Sequence, residues 1–332
     1  MNFIVTIGDA NGISLEVFIK AVKENINSNT IQENNFTLIG NIDVIKQYIS
    51  KINLECCLSD NKIIISDKSI NIIDIGYGYN VNFGECSKEA GLLSIKAVEQ
   101  AAKLTLSKEY DAIITLPVNK EAISKTYPDF KGHTNFIADI CGEKNPIMIL
   151  FYDNLRVALA TVHIPIYSVS RRITKKRLCS LTKSFNKVLI KDFGVINPKI
   201  AMLGLNPHAG ENGVIGKEEK QIINPAIEIS KKKGIDIYGA FASDGFFAHK
   251  DYKNFDGIIA MYHDQGLIPL KLISNGNGVN FTANLPIVRT SPDHGTGFDL
   301  AGKNTASAQS TFNAIEAAVS IVNSRNNYNK II

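Results

Sequence analysis

The sequence lacks the marks of a secreted, membrane-bound or nucleic-acid-binding chain. Its 332 residues hold five cysteines, Cys56, Cys57, Cys86, Cys141 and Cys179. The number is odd and no CxxC pair occurs, so a disulfide framework is not expected and a reducing compartment fits. No run reaches the roughly 18 apolar residues that a membrane span needs. The opening MNFIVTIGDANG has no charged segment leading into a long apolar stretch, so no signal peptide is expected and a cytoplasmic location is. Charge of one sign is also scarce: 36 Lys and Arg face 32 Asp and Glu, a net charge of +4. The basic clusters Arg171, Arg172, Lys175, Lys176, Arg177 and Lys231, Lys232, Lys233 fall in helical stretches without interleaved aromatics. They read as solvated helix faces, not as a nucleic-acid platform. A dinucleotide fingerprint is missing too. GDANG (8–12) follows the first strand, but it is not GxGxxG and no acidic residue follows at the required place.

What is present is alternation. FIVTI, FTLIG, DAIITLPV, IMILFY, RVALATV, KIAMLGL, IDIYGAF and GIIAMY are short apolar runs that read as strands. KIIIS and NIIDI add two more short ones. Amphipathic stretches separate them: residues 14–25, a helix capped by Asn41, one from Ser87 to about 106, then 134–142, 174–191, 216–233 and 305–323. Such alternation predicts an α/β chain with a mainly parallel sheet covered by helices. Crossings are expected in the loop near 126–133 and in the Gly/Asn-rich segment 274–280. Residues 1–130 with 280–332 then make one discontinuous α/β domain, and 131–279 make the middle one.

Histidine is scarce, six in all, yet three stand in one kind of setting. His163 in ALATVHIPI, His208 in IAMLGLNPHAG and His263 in GIIAMYHDQG each follow an apolar run. In open α/β sheets ligands bind beyond the carboxyl ends of the strands. One such histidine also fits a hydrogen-bonded turn residue; three together point to a divalent metal with open coordination positions. NPHAGENG and YHDQG read as long polar loops. Asp264 beside His263 could orient that ring or be a metal ligand itself, and Asp244 in ASDGFF ends another strand. Lys120, in TLPVNK, could bind an anion or transfer a proton. His133 and Thr134, in KGHTNFIA, stand just before a helix, where they could cradle a phosphate, with Thr134 as a simple N-cap the compatible alternative. Lys271, Asn280 and Arg289 supply two cations and an amide for an anionic substrate. HGTGFDLAG, with His294, Gly295 and Asp299, reads as a glycine-rich loop entering a helix that could hold the adenosine half of a cofactor.

GDANG, TLPVNK, GHT, NPHAGENG, YHDQGLIPLK and RTSPDHGTGFDLAG occur in that order over nearly the whole length. In them the chain resembles the 4-hydroxythreonine-4-phosphate dehydrogenase (PdxA) family of vitamin B6 biosynthesis. The resemblance implies a fold like that of isocitrate and isopropylmalate dehydrogenases, two α/β/α domains with the active site in the cleft. It implies a homodimer with the site at the interface, one divalent metal per site (zinc, magnesium or cobalt) and NAD or NADP. Carried over by motif, His163, His208 and His263 match the metal ligands. His133, Thr134, Lys271, Asn280 and Arg289 match the substrate contacts. Asp244 and Lys120 are the candidates for proton transfer, with a metal-bound water as a third. The first loop departs from the family pattern, reading GDANGISLE where GDPAGIGPE is usual.

The reaction implied is NAD(P)-dependent oxidation of 4-phosphohydroxy-L-threonine to 2-amino-3-oxo-4-(phosphooxy)butanoate, which decarboxylates to 3-amino-2-oxopropyl phosphate. The alternatives are a dehydrogenase of phosphorylated threonate or erythronate, a metal-dependent hydrolase, and a non-catalytic binding protein for a phosphorylated metabolite. Neither nucleic acid nor membrane is an expected partner.

Overall fold

Short runs with no polar break become strands buried on both faces. Phe3, Ile4 and Val5, like Ala112, Ile113 and Ile114, are fully buried. Each large apolar side chain so buried contributes about 1.5–3 kcal/mol relative to exposure. The computed structural model describes residues 1–331. The described chain divides into two compact units, 1–146 with 285–322, and 147–284 with the segment from Asn323 onward.

In the first unit the strands lie in the order Val288–Pro292, Ala112–Thr115, Asn2–Thr6, Asn35–Gly40, Lys68–Asp74, Lys62–Ile65, Cys57–Ser59. The first five run parallel, with Val5 opposite both Leu38 and Ile114, and Arg289 opposite Ile113. Two antiparallel pairings finish the sheet. The helices start where their caps dictate. Asn41 accepts from the N–H groups of Asp43 and Val44 to open Ile42–Ile52, and Ser87 accepts from Ala90 to open Lys88–Leu106. Such a cap is worth about 1 kcal/mol. At Gly91 a Cβ would sit 2.3 Å from the Ala122 backbone, so only glycine lets the long helix close on helix Lys120–Ser124.

In the second unit the order is Ile237–Phe241, Ile200–Leu203, Gly257–Ala260, Leu155–Leu159, Ile147–Tyr152, Val279–Ala283. The first four are parallel and the last two antiparallel. Leu150, Val157, Leu203, Phe246, Ile258 and Leu267 form the core of this unit.

The mixed α/β character and most elements agree with the pattern in the sequence. Three features differ. The units meet the chain at Pro146/Ile147 and Asn284/Leu285, not at 130/131 and 279/280. Helix His133–Ile140 packs with helix Lys88–Leu106, and Val279–Ala283 pairs with Ile147–Tyr152. YHDQG is no loop: His263 is the first residue of helix His263–Ser274, which carries Pro269 inside and buries Leu267 and Leu270. HGTGFDLAG does not run into a helix directly, since the last helix, Gln309–Ile331, starts well after it. No helix among the described residues is long and apolar enough to cross a membrane.

Candidate active site

Four parallel strands of the second unit share one carboxyl edge, because neighbours in a parallel ladder end on the same side. Leu155–Leu159 leads to His163, Ile200–Leu203 to His208, Ile237–Phe241 to Asp244 and Gly257–Ala260 to His263. The turn before His163 is tied to its neighbour: Thr161 donates through N–H (3.2 Å) and through its hydroxyl (2.6 Å) to the Met261 carbonyl. The rings of His163 and His263 then stand 5.8 Å apart, centroid to centroid. They line a cleft of about 320 Å³ with Val162, Ile164, Pro165 and Tyr262. Nδ1 of His263 lies 2.7 Å from Oδ1 of Asp264. An ionised carboxylate only accepts, so it selects the Nδ1–H tautomer and leaves the Nε2 lone pair for a ligand.

His208 reaches the same edge in an unusual backbone. Residues His208 to Asn212 all have positive φ, between 43° and 78°. Four of them are not glycine, in a region that costs L-residues about 1–2 kcal/mol each. Among the described residues no group of three or more His, Cys, Asp or Glu is arranged to hold a metal. The structure thus pairs His163 with His263 and does not gather His208 with them in one chain. Asp244 is exposed in the first turn of helix Ser243–Ala248.

The first unit brings Arg289, His133 and Lys120 close together. Arg289 is 2% exposed on strand Val288–Pro292. Its Nε and an Nη donate to the Thr115 hydroxyl at 2.9 and 2.6 Å, and the Nη also reaches Nδ1 of His133 at 3.1 Å. Burial pulls its pKa down to about 9, so it stays charged at neutral pH. His133 is the first residue of helix His133–Ile140, and its Nε2 is buried without a hydrogen-bond partner. Burial first, then the charges of Arg289 and Lys120, hold its pKa well below the ordinary 6.5. Thr134 follows it at the helix start. Lys120 opens helix Lys120–Ser124, with Asn119 as cap. A buried guanidinium, an imidazole N–H and a helix N-terminus fit an anion. Lys271 and Asn280 lie in the second unit, the latter with its Oδ1 buried and unbonded among the described residues.

The loop bearing His294, Gly295 and Asp299 is braced against the first loop. His294 Nδ1 lies 2.9 Å from the Gly295 carbonyl, and Ile13 N–H donates to the Thr296 carbonyl at 2.9 Å. Gly12 is required there, since a Cβ would sit 2.4 Å from that carbonyl oxygen. Gly295 and Asp299 are exposed.

Residues 17–318 match the family model described as pyridoxal phosphate biosynthetic protein PdxA. The chain belongs to the PdxA family. A PdxA relative, the 4-hydroxythreonine-4-phosphate dehydrogenase of Sulfurihydrogenibium sp. (strain YO3AOP1), is 40% identical over 95% of this chain and 96% of its own. A D-threonate 4-phosphate dehydrogenase of Pectobacterium atrosepticum is 33% identical over 96% of this chain and 98% of its own. The crystal structure of 4-hydroxythreonine-4-phosphate dehydrogenase from Klebsiella pneumoniae superposes with a TM-score of 0.83 at 33% identity, covering 96% of this chain and 97% of that one. The curated relatives are thus oxidoreductases by name.

Several residues of this PdxA chain escape sequence reasoning. Thr115 ends an apolar strand, and nothing local marks it as the acceptor for Arg289. Asn11 stands at a departure from the usual PdxA first loop. Its side chain accepts from Asn82 N–H and donates to the Glu85 carbonyl, clamping segment 82–85 onto that loop. Glu219 and Gln265 brace the segments that lead to His208 and His263.

Proposed function

We propose that this chain oxidises the 3-hydroxyl of 4-phosphohydroxy-L-threonine, with NAD or NADP taking the hydride. The resulting 2-amino-3-oxo-4-(phosphooxy)butanoate is a β-keto acid and loses carbon dioxide to give 3-amino-2-oxopropyl phosphate, a step toward vitamin B6. The observation that carries this reading is the buried Arg289–His133 pair at a helix start, within a chain of PdxA family membership.

Arg289, the Nε2–H of His133 and Thr134 bind the phosphate and so fix the substrate's position. Lys271 and Asn280 supply a cation and an amide for its remaining polar groups. His163, His208 and His263 would hold a divalent metal (zinc, magnesium or cobalt). The donor set fits, since Asp264 leaves the Nε2 lone pair of His263 available. When bound, the metal supplies Lewis acidity at the substrate hydroxyl and the nicotinamide supplies the hydride acceptor. Asp244 or Lys120 takes the hydroxyl proton. His294, Gly295 and Asp299 lie on the loop that would hold the cofactor's adenosine half. The units would then correspond to the two α/β/α domains of an isocitrate or isopropylmalate dehydrogenase-like fold, in a cytoplasmic homodimer. Support for the dimer is that His208 stands apart from the other two histidines within one chain.

A second reading, oxidation of a phosphorylated threonate or erythronate, is favoured by the D-threonate 4-phosphate dehydrogenase relative. Reduced nicotinamide absorbance in metal-supplemented assays tests both. The first reading requires 4-phosphohydroxy-L-threonine to be turned over with much higher kcat/KM than D-threonate 4-phosphate. The reverse order selects the second. Turnover of neither would overturn both.

A further inference from the structure

We propose that Gln265 is a positioning residue whose single amide sets the relative placement of the His208, Asp244 and His263 segments. The proposal rests on the metal reading above and deepens it. Gln265 lies two residues beyond His263, in the first turn of helix His263–Ser274. Its Oε1 accepts from the N–H of Met261 at 2.6 Å. Its Nε2 donates to the Gly204 carbonyl at 2.6 Å and to the Ser243 hydroxyl at 2.7 Å. Each partner sits just past the end of a different strand. Met261 follows Gly257–Ala260, Gly204 follows Ile200–Leu203, and Ser243 follows Ile237–Phe241. Where the ladders stop, one side chain continues the connection among the three chains that leave them.

The partners also adjoin the chemistry. Met261 stands two residues before His263, Ser243 is next to Asp244, and Gly204 begins the approach to His208. On that approach a second brace acts from the other side. Glu219, buried in a single turn of π-helix, accepts from the N–H groups of Leu205 and Asn206 at 2.7 and 2.8 Å. Gln265 thus holds the carbonyl before the loop and Glu219 the N–H groups after it. The left-handed run from His208 to Asn212 comes immediately afterwards, and such backbone persists only where its surroundings over-determine it. An amide is needed, because a carboxylate would face the Gly204 carbonyl with an acceptor and an alkyl chain would leave all three groups unmatched.

The test uses the full chain with Co2+ as probe, read by its visible d–d bands, with Zn2+ competition against a chelator. Gln265→Met should keep the circular dichroism of the parent and lose about tenfold to a hundredfold in Co2+ affinity, the range for residues that orient ligands. Its d–d bands should shift and kcat should fall. KM for the phosphorylated substrate should move little, because the Arg289–His133 pocket is untouched. Ser243→Ala removes one bond of the three and should show the same changes to a smaller extent; it decides the matter if the Met variant does not fold. Wild-type Co2+ affinity, bands and kcat in the folded variants would overturn the proposal. If Co2+ binding of the parent is indifferent to His263→Ala, the metal reading fails separately. Gln265 is then judged on hydrogen exchange at Met261 and Leu205, and unchanged exchange in Gln265→Met overturns its role.

Discussion

Arg289 donates to Nδ1 of His133 across 3.1 Å. A guanidinium has no acceptor, so Nδ1 carries no proton and the ring is the neutral Nε2–H tautomer. Protonating His133 would set two donors and two positive charges against each other. Burial, Arg289 and Lys120 all hold its pKa below 6.5. The ring therefore offers a constant donor to the bound anion, where an exposed histidine would switch near neutrality.

His133 should accordingly show no titration between pH 6 and 8. Nitrogen-15 NMR of labelled protein reads the tautomer and its charge directly. The sign for stability follows. The unfolded chain takes up a proton here below about pH 6.5, and the folded chain refuses it, so this residue weakens the fold as pH falls below that value. A ring that charges near 6.5 in the folded protein would sink the assignment.

Arg289→Ala should raise KM for the phosphorylated substrate by about tenfold to a hundredfold, the equivalent of roughly 1.5–3 kcal/mol for a lost charge-assisted contact. Cofactor affinity should change much less. Arg289→Lys keeps a charge but loses the fork that grips Thr115 and His133 together, so it should recover only part of the loss. Equal shifts in both constants, or equal turnover of a dephosphorylated substrate, would assign the pocket to another ligand.

His163→Ala, His208→Ala and His263→Ala should each abolish turnover and lower metal content while circular dichroism stays unchanged. If the working site takes residues from two copies, mixing inactive His208→Ala with inactive Lys271→Ala should restore some activity. A stable monomer with full activity in sedimentation would exclude that arrangement.

What the sequence shows plainly follows from its periodicity. AIIT, IAML and GIIA are uninterrupted because parallel strands bury both faces, and Asn41 and Ser87 announce helix starts by their side chains. The strand Val288–Pro292 is hidden. Arg289, Thr290 and Ser291 are polar, yet all three are buried, and the partners that allow it for Arg289, Thr115 and His133, lie more than 150 residues away. His263–Ser274 is masked by Pro269 and by the polar run HDQG. Its start becomes intelligible only once Gln265 is seen bonding to two other strand ends. The metal-type histidines are legible as positions after strands, but the left-handed course of His208, just after the Leu205–Asn206 segment that Glu219 holds, is not marked in local composition.

Asp9 is fully buried in the first loop. Oδ1 accepts from Asn11 N–H at 2.9 Å, while Oδ2 is buried with no hydrogen-bond partner. Burial raises its pKa from 3.8 to about 6, with the Asn11 N–H opposing. A carboxyl with a raised folded pKa is a cost above that pKa. The cost shrinks as pH falls from about 6 toward 3.8, where the folded chain binds the proton first. Asp9→Asn keeps an acceptor for Asn11 and removes the charge. It should therefore stabilise the protein at pH 8 by up to about 3 kcal/mol, since one pKa unit is about 1.4 kcal/mol. The advantage should fade below about pH 4. Urea unfolding of the two proteins at pH 8, 6 and 4 gives the comparison. A stabilisation independent of pH, or a loss at pH 8, would show that the Asp9 charge is compensated in the fold and that its burial is not the cause.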